Sequence, residues 1–154
     1  MVLKGEQIMN IGFYVDDCGG SPRNEIIFNF LNNNIDKMRD GCVFFNNVNF
    51  NPVTPKFGLF DATEIWHYTG HLICTSLENF AKATNVANKF KAYYLFDTSD
   101  KTEQNFFNLV KVARSAKVLV DNPISEKEFY RITGVKPVMI EDFSLDNLKG
   151  VLNE

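Results

Sequence analysis

Short apolar runs alternate with longer amphipathic stretches along most of this chain, and that alternation constrains the fold more than any other feature. Ile11 to Val15 is a short apolar run bounded by Asp16, Asp17 and the Gly19-Gly20 pair, which predicts a buried strand. Ser21-Pro22 then supplies an N-cap followed by proline at the first helical position. Ile26, Ile27, Phe30, Leu31, Ile35 and Met38 follow at helical spacing, so one face of a helix is expected to run on until Gly41 ends it. Cys42 to Phe45 predicts a second strand. The Asn- and Pro-rich segment from Asn46 to Lys56 predicts a loop.

The same grammar continues. Phe57 to Phe60 and Ile65 to Tyr68 are short β-type runs, and Leu72, Ile73, Leu77, Phe80 and Ala81 predict a helix beginning near His71. Ala92 to Phe96 predicts a strand ended by Asp97-Thr98-Ser99. Asp100 with Glu103 forms a capping box for a helix carrying Phe106, Phe107, Leu109, Val110 and Ala113. Lys117 to Val120 predicts another strand. Ser125 with Glu128 is a second capping box, for a helix that Gly134 stops. Pro137 to Ile140 closes the series as a strand, with a terminal helix from Ser144. Strands and helices in alternation force parallel pairing. The expected architecture is therefore α/β: a single doubly wound, mainly parallel sheet with helices on both faces, Rossmann-like, over residues 1–154. No repeat or linker divides it.

Composition narrows the function classes. Apolar residues make up 45% and charged residues 23%, which excludes disordered and fibrous chains. No run approaches the roughly 20 apolar residues of a membrane helix. Met1 to Asn10 lacks the apolar run of a signal peptide, so a cytoplasmic protein without membrane association is expected. Fifteen Phe supply a large buried area. A net charge of −3 argues against a nucleic-acid partner. Cys18, Cys42 and Cys74 are widely spaced and read as reduced thiols, not as a disulfide frame or zinc site. Eighteen Asn, and twelve Lys against four Arg, suit an AT-rich genome such as that of a virus or a low-GC bacterium.

Ligands of a doubly wound sheet bind beyond the carboxyl ends of its strands. That rule nominates Asp16 to Ser21, then Thr69, Gly70 and His71, then Asp97, Thr98 and Ser99, then Asn122, and last Glu141 and Asp142. The Gly19-Gly20 turn feeding the Ser21 cap suits either a tight strand-to-helix connection or an anion at the helix start. It is neither a Walker loop nor a dinucleotide fingerprint, and two acids before it repel phosphate. No cofactor is expected. His67 and His71 have the spacing of a metal pair on a helix, but the expected helix starts at His71 and no third ligand is evident, so no metal is expected. His71 remains a base or hydrogen-bond donor at the cleft. Cys18 reads as inert packing, and Trp66 and Tyr68 as core or cleft wall.

These residues carry a family likeness. Ile11-Gly12-Phe13-Tyr14-Val15, the turn Gly19-Gly20-Ser21-Pro22-Arg23 and the helix through Leu31 resemble the opening of GT-B glycosyltransferases: strand, Gly-Gly-x-x-Arg turn, helix. Ile65 to His71 resembles their strand leading to a His-bearing loop. Ala92 to Asp97 is similar to their next strand, which ends in a polar cleft residue. Arg114 to Glu126 and Gly134 to Phe143 are similar to the last strand–helix–strand before their second domain. The resemblance covers most of the chain, and its order is its specific part. It implies that Gly19, Gly20 and Arg23 line the cleft, with Ser21, Thr98 and Asn122 beside them as ligand-binding residues. His71 would face the acceptor, and Asp97 would be the base. Asn122 replaces the Ser often found there, and the Glu-rich donor motif is lacking.

The resemblance thus implies an acceptor-side half. A nucleotide sugar would enter only with a separate donor-binding subunit or another protein partner, and an oligomer stays open. The competing expectation is a non-catalytic interaction protein, viral in the reading of its composition, on the same fold. A third is the response-regulator receiver: Val15-Asp16-Asp17 resembles its acidic pair, Asp61 its phosphoacceptor, and Thr98 or Ser99 its switch hydroxyl. That reading lacks the expected Lys-Pro, because Asp121-Asn122-Pro123 stands in its place.

Overall fold

Every strand core in this chain is apolar on both sides, so every strand needs cover on both sides. Ile11, Phe13, Val15, Val43, Ile73, Tyr93, Leu95 and Leu119 bury into one cluster. The alternate residues Tyr14, Phe44, Leu72, Cys74, Tyr94, Phe96, Val118 and Val120 bury into the other. A computed structural model, which describes residues 9–86 and 89–152, shows how the chain meets that demand. The expectation of no signal peptide rests largely on residues 1–8, outside the described residues.

The strands are β1 (Ile11–Asp17), β2 (Cys42–Asn47), β3 (Gly58–Asp61), β4 (Thr69–Cys74), β5 (Lys89–Leu95), β6 (Val118–Val120) and β7 (Val138–Met139). They form one sheet in the order β3-β2-β1-β4-β5-β6-β7. Every pairing is parallel, including Ile11 with His71 and Tyr14 with Cys74 at its centre. The helices are α1 (Pro22–Asn34), α2 (Leu77–Thr84), α3 (Phe106–Ser115), α4 (Pro123–Thr133) and α5 (Leu145–Leu152). Helices α1 and α5 cover the first cluster through Ile27, Phe28, Leu31, Leu145, Leu148 and Leu152. The second is covered by α2, α3 and α4 through Leu77, Phe80, Ala83, Leu109, Ala113 and Phe129, with Ile65 and Tyr68 beside them. The doubly wound, Rossmann-like α/β fold expected from the sequence is the observed one.

Several local readings are corrected. The β-type run Ile65 to Tyr68 lies largely in a 3-10 turn, Ala62–His67, that Asp61 caps through the Thr63 amide. The helix expected from near His71 starts only at Leu77. Leu72 and Ile73 belong instead to β4, at the centre of the sheet. The Asp100–Glu103 box does not open α3, whose N-cap is Asn105. The Ser125–Glu128 box lies inside α4. Asn122 caps that helix, and Pro123 occupies its first turn. Helix α1 ends at Asn34 and passes into a 3-10 turn, Ile35–Lys37, before Gly41 is reached. Gly134 does stop α4, in the left-handed conformation at φ 73°.

Candidate functional site

Strand order reverses between β1 and β4, because the chain builds outward from β1 in one direction and then in the other. At such a switch point the loops leaving the two strands turn away from each other, and a crevice opens at their carboxyl ends. Its rim is made by Asp16 and Asp17 at the end of β1, Thr75 and Ser76 after β4, Asp97 after β5, and Asp121 after β6.

Arg23 ties this rim together. Pro22 starts α1 directly after the Ser21 cap, so the second helical residue sits on the rim. There its Nη1 lies 3.4 Å from Asp97, and its Nη2 donates to both Asp121 oxygens at 3.2 and 3.3 Å. One guanidinium thus spans from the β1–α1 turn to the ends of β5 and β6. Asp97 also accepts the Ser99 amide at 3.2 Å and the Thr98 hydroxyl at 3.4 Å, and it stays partly open to solvent.

A second network fixes Asp16. Asn46, at the end of β2, donates its amide to Asp16 at 3.0 Å and to Asn79 at 2.8 Å, and accepts the Tyr14 hydroxyl at 2.7 Å. Asn79 is buried and donates to the Tyr14 carbonyl at 3.4 Å. Burial raises the Tyr14 phenol above its ordinary value, against Lys82 and the Asn46 bond, which lower it. Asp16 itself is exposed, so one carboxylate is held in place and still faces solvent. Across the crevice Asp100 accepts the Tyr94 hydroxyl at 2.5 Å and the Leu77 amide at 3.1 Å, which caps the start of α2 from outside that helix. Burial raises the Asp100 carboxyl above its ordinary value; those two hydrogen bonds oppose the shift.

The glycine turn is closed. Gly19 donates its amide to Asp17 at 2.6 Å, and Gly20 donates to the Phe50 carbonyl at 2.9 Å. Asn49 also donates to Asp17. A Cβ on Gly20 would lie 2.6 Å from Pro52, and one on Gly19 would lie 2.9 Å from Asn49. Of the two readings the sequence allowed, the geometry matches the tight connection: both amides are spent inside the chain. Ser21 is spent on the Asn24 amide, and Asn122 on the Ser125 amide and Asp121.

His71 requires a correction. It stands near the start of β4, opposite Ile11, at the amino edge of the sheet, and so do Thr69 and Gly70. Its Nδ1 bonds the Tyr93 hydroxyl at 2.7 Å, and that hydroxyl donates to the Leu152 carbonyl at 3.1 Å. His71 therefore does not share a cleft with Asp97. His67 lies in the 3-10 turn before β4, so the two histidines do not share a helix face. Asp61 ends β3, with β2 between it and the acidic pair of β1, so the receiver constellation is not assembled either. Cys18, Cys42 and Cys74 are buried free thiols. Burial pushes Cys42 up to about 12.

The rim rule reached Asp97, Thr98, Arg23's turn and Asn122, but it passed over Asp121, next to Asn122. Thr75 and Ser76 were missed because the end of β4 was misplaced. Asn79 and Asn46 carry no signal at all, since nothing in their local sequence marks a polar side chain for burial. What the arrangement offers is a set of fixed acceptors, carboxylates and carboxamides, around an already neutralised guanidinium. Such a rim accepts hydrogen bonds from hydroxyl groups, and its Gly19 and Gly20 amides are not free for phosphate. No protein-family model, no curated protein and no solved structure matches the chain.

Proposed function

We propose that the chain binds a polyhydroxylated acceptor, a sugar or sugar-like polyol, in the crevice between β1 and β4. It does so in the manner of the acceptor-side half of a GT-B glycosyltransferase. The observation that carries this reading is the convergence of Asp97 and Asp121 on Arg23 beside the switch point. Carboxylates held by neighbouring donors and still open to solvent are suited to accept from sugar hydroxyls. Asp97 takes the role of base in any transfer, since it is the partly open carboxylate to which Arg23 and the Ser99 amide give a fixed orientation. Thr98 and Ser76 flank the same opening. His71 has no part in it. With Gly19 and Gly20 committed to their own chain, a nucleotide-sugar donor is bound by a separate subunit.

The test is titration of the isotope-labelled chain with a panel of mono- and oligosaccharides, followed through backbone amide shifts. Shifts clustered at Asp16, Ser76, Asp97 and Thr98, weakened by Asp97→Asn, are expected. A panel that leaves all four amides unmoved rejects the reading and puts the interaction protein first. The exposed Phe106, Phe107, Ile124 and Tyr130 on α3 and α4 favour that second reading. Nucleotide sugars added to the chain alone should give neither turnover nor a thermal shift; turnover would reject the dependence on a partner.

A further inference from the structure

An all-parallel sheet is covered on both faces, but α2 and α3 leave the amino half of β5 partly open at Phe90 and Ala92, while Tyr94 is fully buried. Helix α3 packs along α4, while its packing against α2 is marginal at most. The cause lies in the lengths. Eight residues of α2 span about 12 Å, whereas seven residues of β5 span about 23 Å. A trough of about 1300 Å³ remains between the two helices. Its walls are Phe80, Ala81 and Thr84 from α2 and Asn108, Val112 and Ser115 from α3, each set at helical spacing, and its floor includes Ala92. Ala92 and Val112 stay partly open.

The trough is electrically polar along its length. Asp16 and Asp100 stand at the end on the carboxyl rim, where Glu78 is already paired with Lys82 at 3.3 Å. Lys111 and Arg114 stand toward the other end, and among the described residues neither makes an ion pair. A helix carries partial positive charge at its N-terminus and negative charge at its C-terminus. With a diameter near 10 Å, about three turns of helix occupy the volume of this trough.

We propose that the trough docks one amphipathic α-helix of a partner protein. Its N-terminus lies at the Asp16 and Asp100 end, its C-terminus at the Lys111 and Arg114 end, and its apolar stripe on Ala92 and Val112. A second copy of this chain fits poorly. A two-fold axis along the trough, which would let each α3 enter the other's trough, sets the basic ends together. A two-fold axis across it sets acid on base but faces hollow on hollow. The two readings share Asp16 at the rim, and the amides tell them apart: Asp97 and Thr98 report on the polyol, Ala92, Val112 and Ser115 on the helix.

The test uses two synthetic peptides of about 12 residues, cross-linked at i,i+4 because free helices of this length are marginal. Both carry a Leu/Ala stripe. One has Lys in its first turn and Glu in its last; the other has the order reversed. Titrated into the labelled full chain, the first is expected to shift the amides of Ala92, Val112 and Ser115 and to bind roughly tenfold more tightly, as two end-charge matches require. Asn108→Trp, on the exposed trough wall, should abolish those shifts with the rest of the spectrum intact. Lys111→Glu with Arg114→Glu makes both ends acidic and should abolish the preference between the peptides. Equal binding of both peptides, no shift at the three amides, or a preference that the charge reversal leaves unchanged would overturn the proposal.

Discussion

His71 sits half-buried at the amino edge, with Tyr93 on one side and the charges of Lys91 and Lys117 near it. Burial first, and then those two lysines, disfavour the imidazolium and hold its pKa below the ordinary 6.5. The unfolded chain therefore takes up a proton near pH 6.5 that the folded chain resists. This contribution to stability is complete above that pH and is lost as pH falls from there through the lower folded-state value. Urea unfolding across pH 7 to 5 should show stability dropping on the acid side, at no more than about 1.4 kcal/mol per pH unit for one group. His71→Gln should flatten the drop; an unchanged slope would assign it elsewhere. None of this was legible in the sequence, where His71 follows Thr69-Gly70 and reads as a loop residue ahead of a helix. The apolar part of β4 is only Leu72-Ile73-Cys74. Three buried residues followed by Leu77, Phe80 and Ala81 match a helical period as well as a strand. That single misplacement carried His71 to the wrong edge and hid Thr75 and Ser76 from the rim.

At the scale of elements, helix starts were legible where proline was weighted and illegible where a capping box was. Ser21-Pro22 and Asn122-Pro123 are the same device, an oxygen-bearing cap followed by the residue that needs no amide partner. Only the first stands clear of a competing pattern. In the second, Ser125 and Glu128 formed a pattern with the right spacing three residues too late, and Ser125 is in fact buried and receives the cap through its amide. Asn122→Ala should accordingly cost about 1 kcal/mol in chemical denaturation, while Asn122→Ser, which keeps a capping oxygen, should cost only a small fraction of that. Equal losses from the two would show that Asn122 matters through its bond to Asp121 instead of through the helix. The strands other than β4 were legible because their two-sided apolar runs admit few alternatives. The 3-10 turn at Ala62–His67 was not, since Ile65, Trp66 and Tyr68 are all strand formers and only the Asp61 cap argues otherwise.

For the molecule as a whole, the parallel sheet followed from the alternation of elements, whereas its strand order and the contacts that join its halves did not. Arg23 leaves the β1–β2–β3 half and pairs with Asp97 and Asp121 of the other half, 74 and 98 residues further along the chain, a pairing that no local pattern announces. Its side chain is about one-fifth exposed, between the exposed and buried regimes of ion pairing. Arg23→Ala should thus cost about 1–2 kcal/mol, part of it from two carboxylates left facing each other. The pair Arg23→Ala with Asp97→Asn should recover that part in a double-mutant comparison, and strict additivity would deny the coupling. The plug that Asn49, Phe50 and Pro52 drive into the β1–α1 turn reaches further, into laboratory handling. Inorganic phosphate or sulfate in a buffer finds the Gly19 and Gly20 amides already taken there, and columns bearing immobilised nucleotides should let the protein flow through.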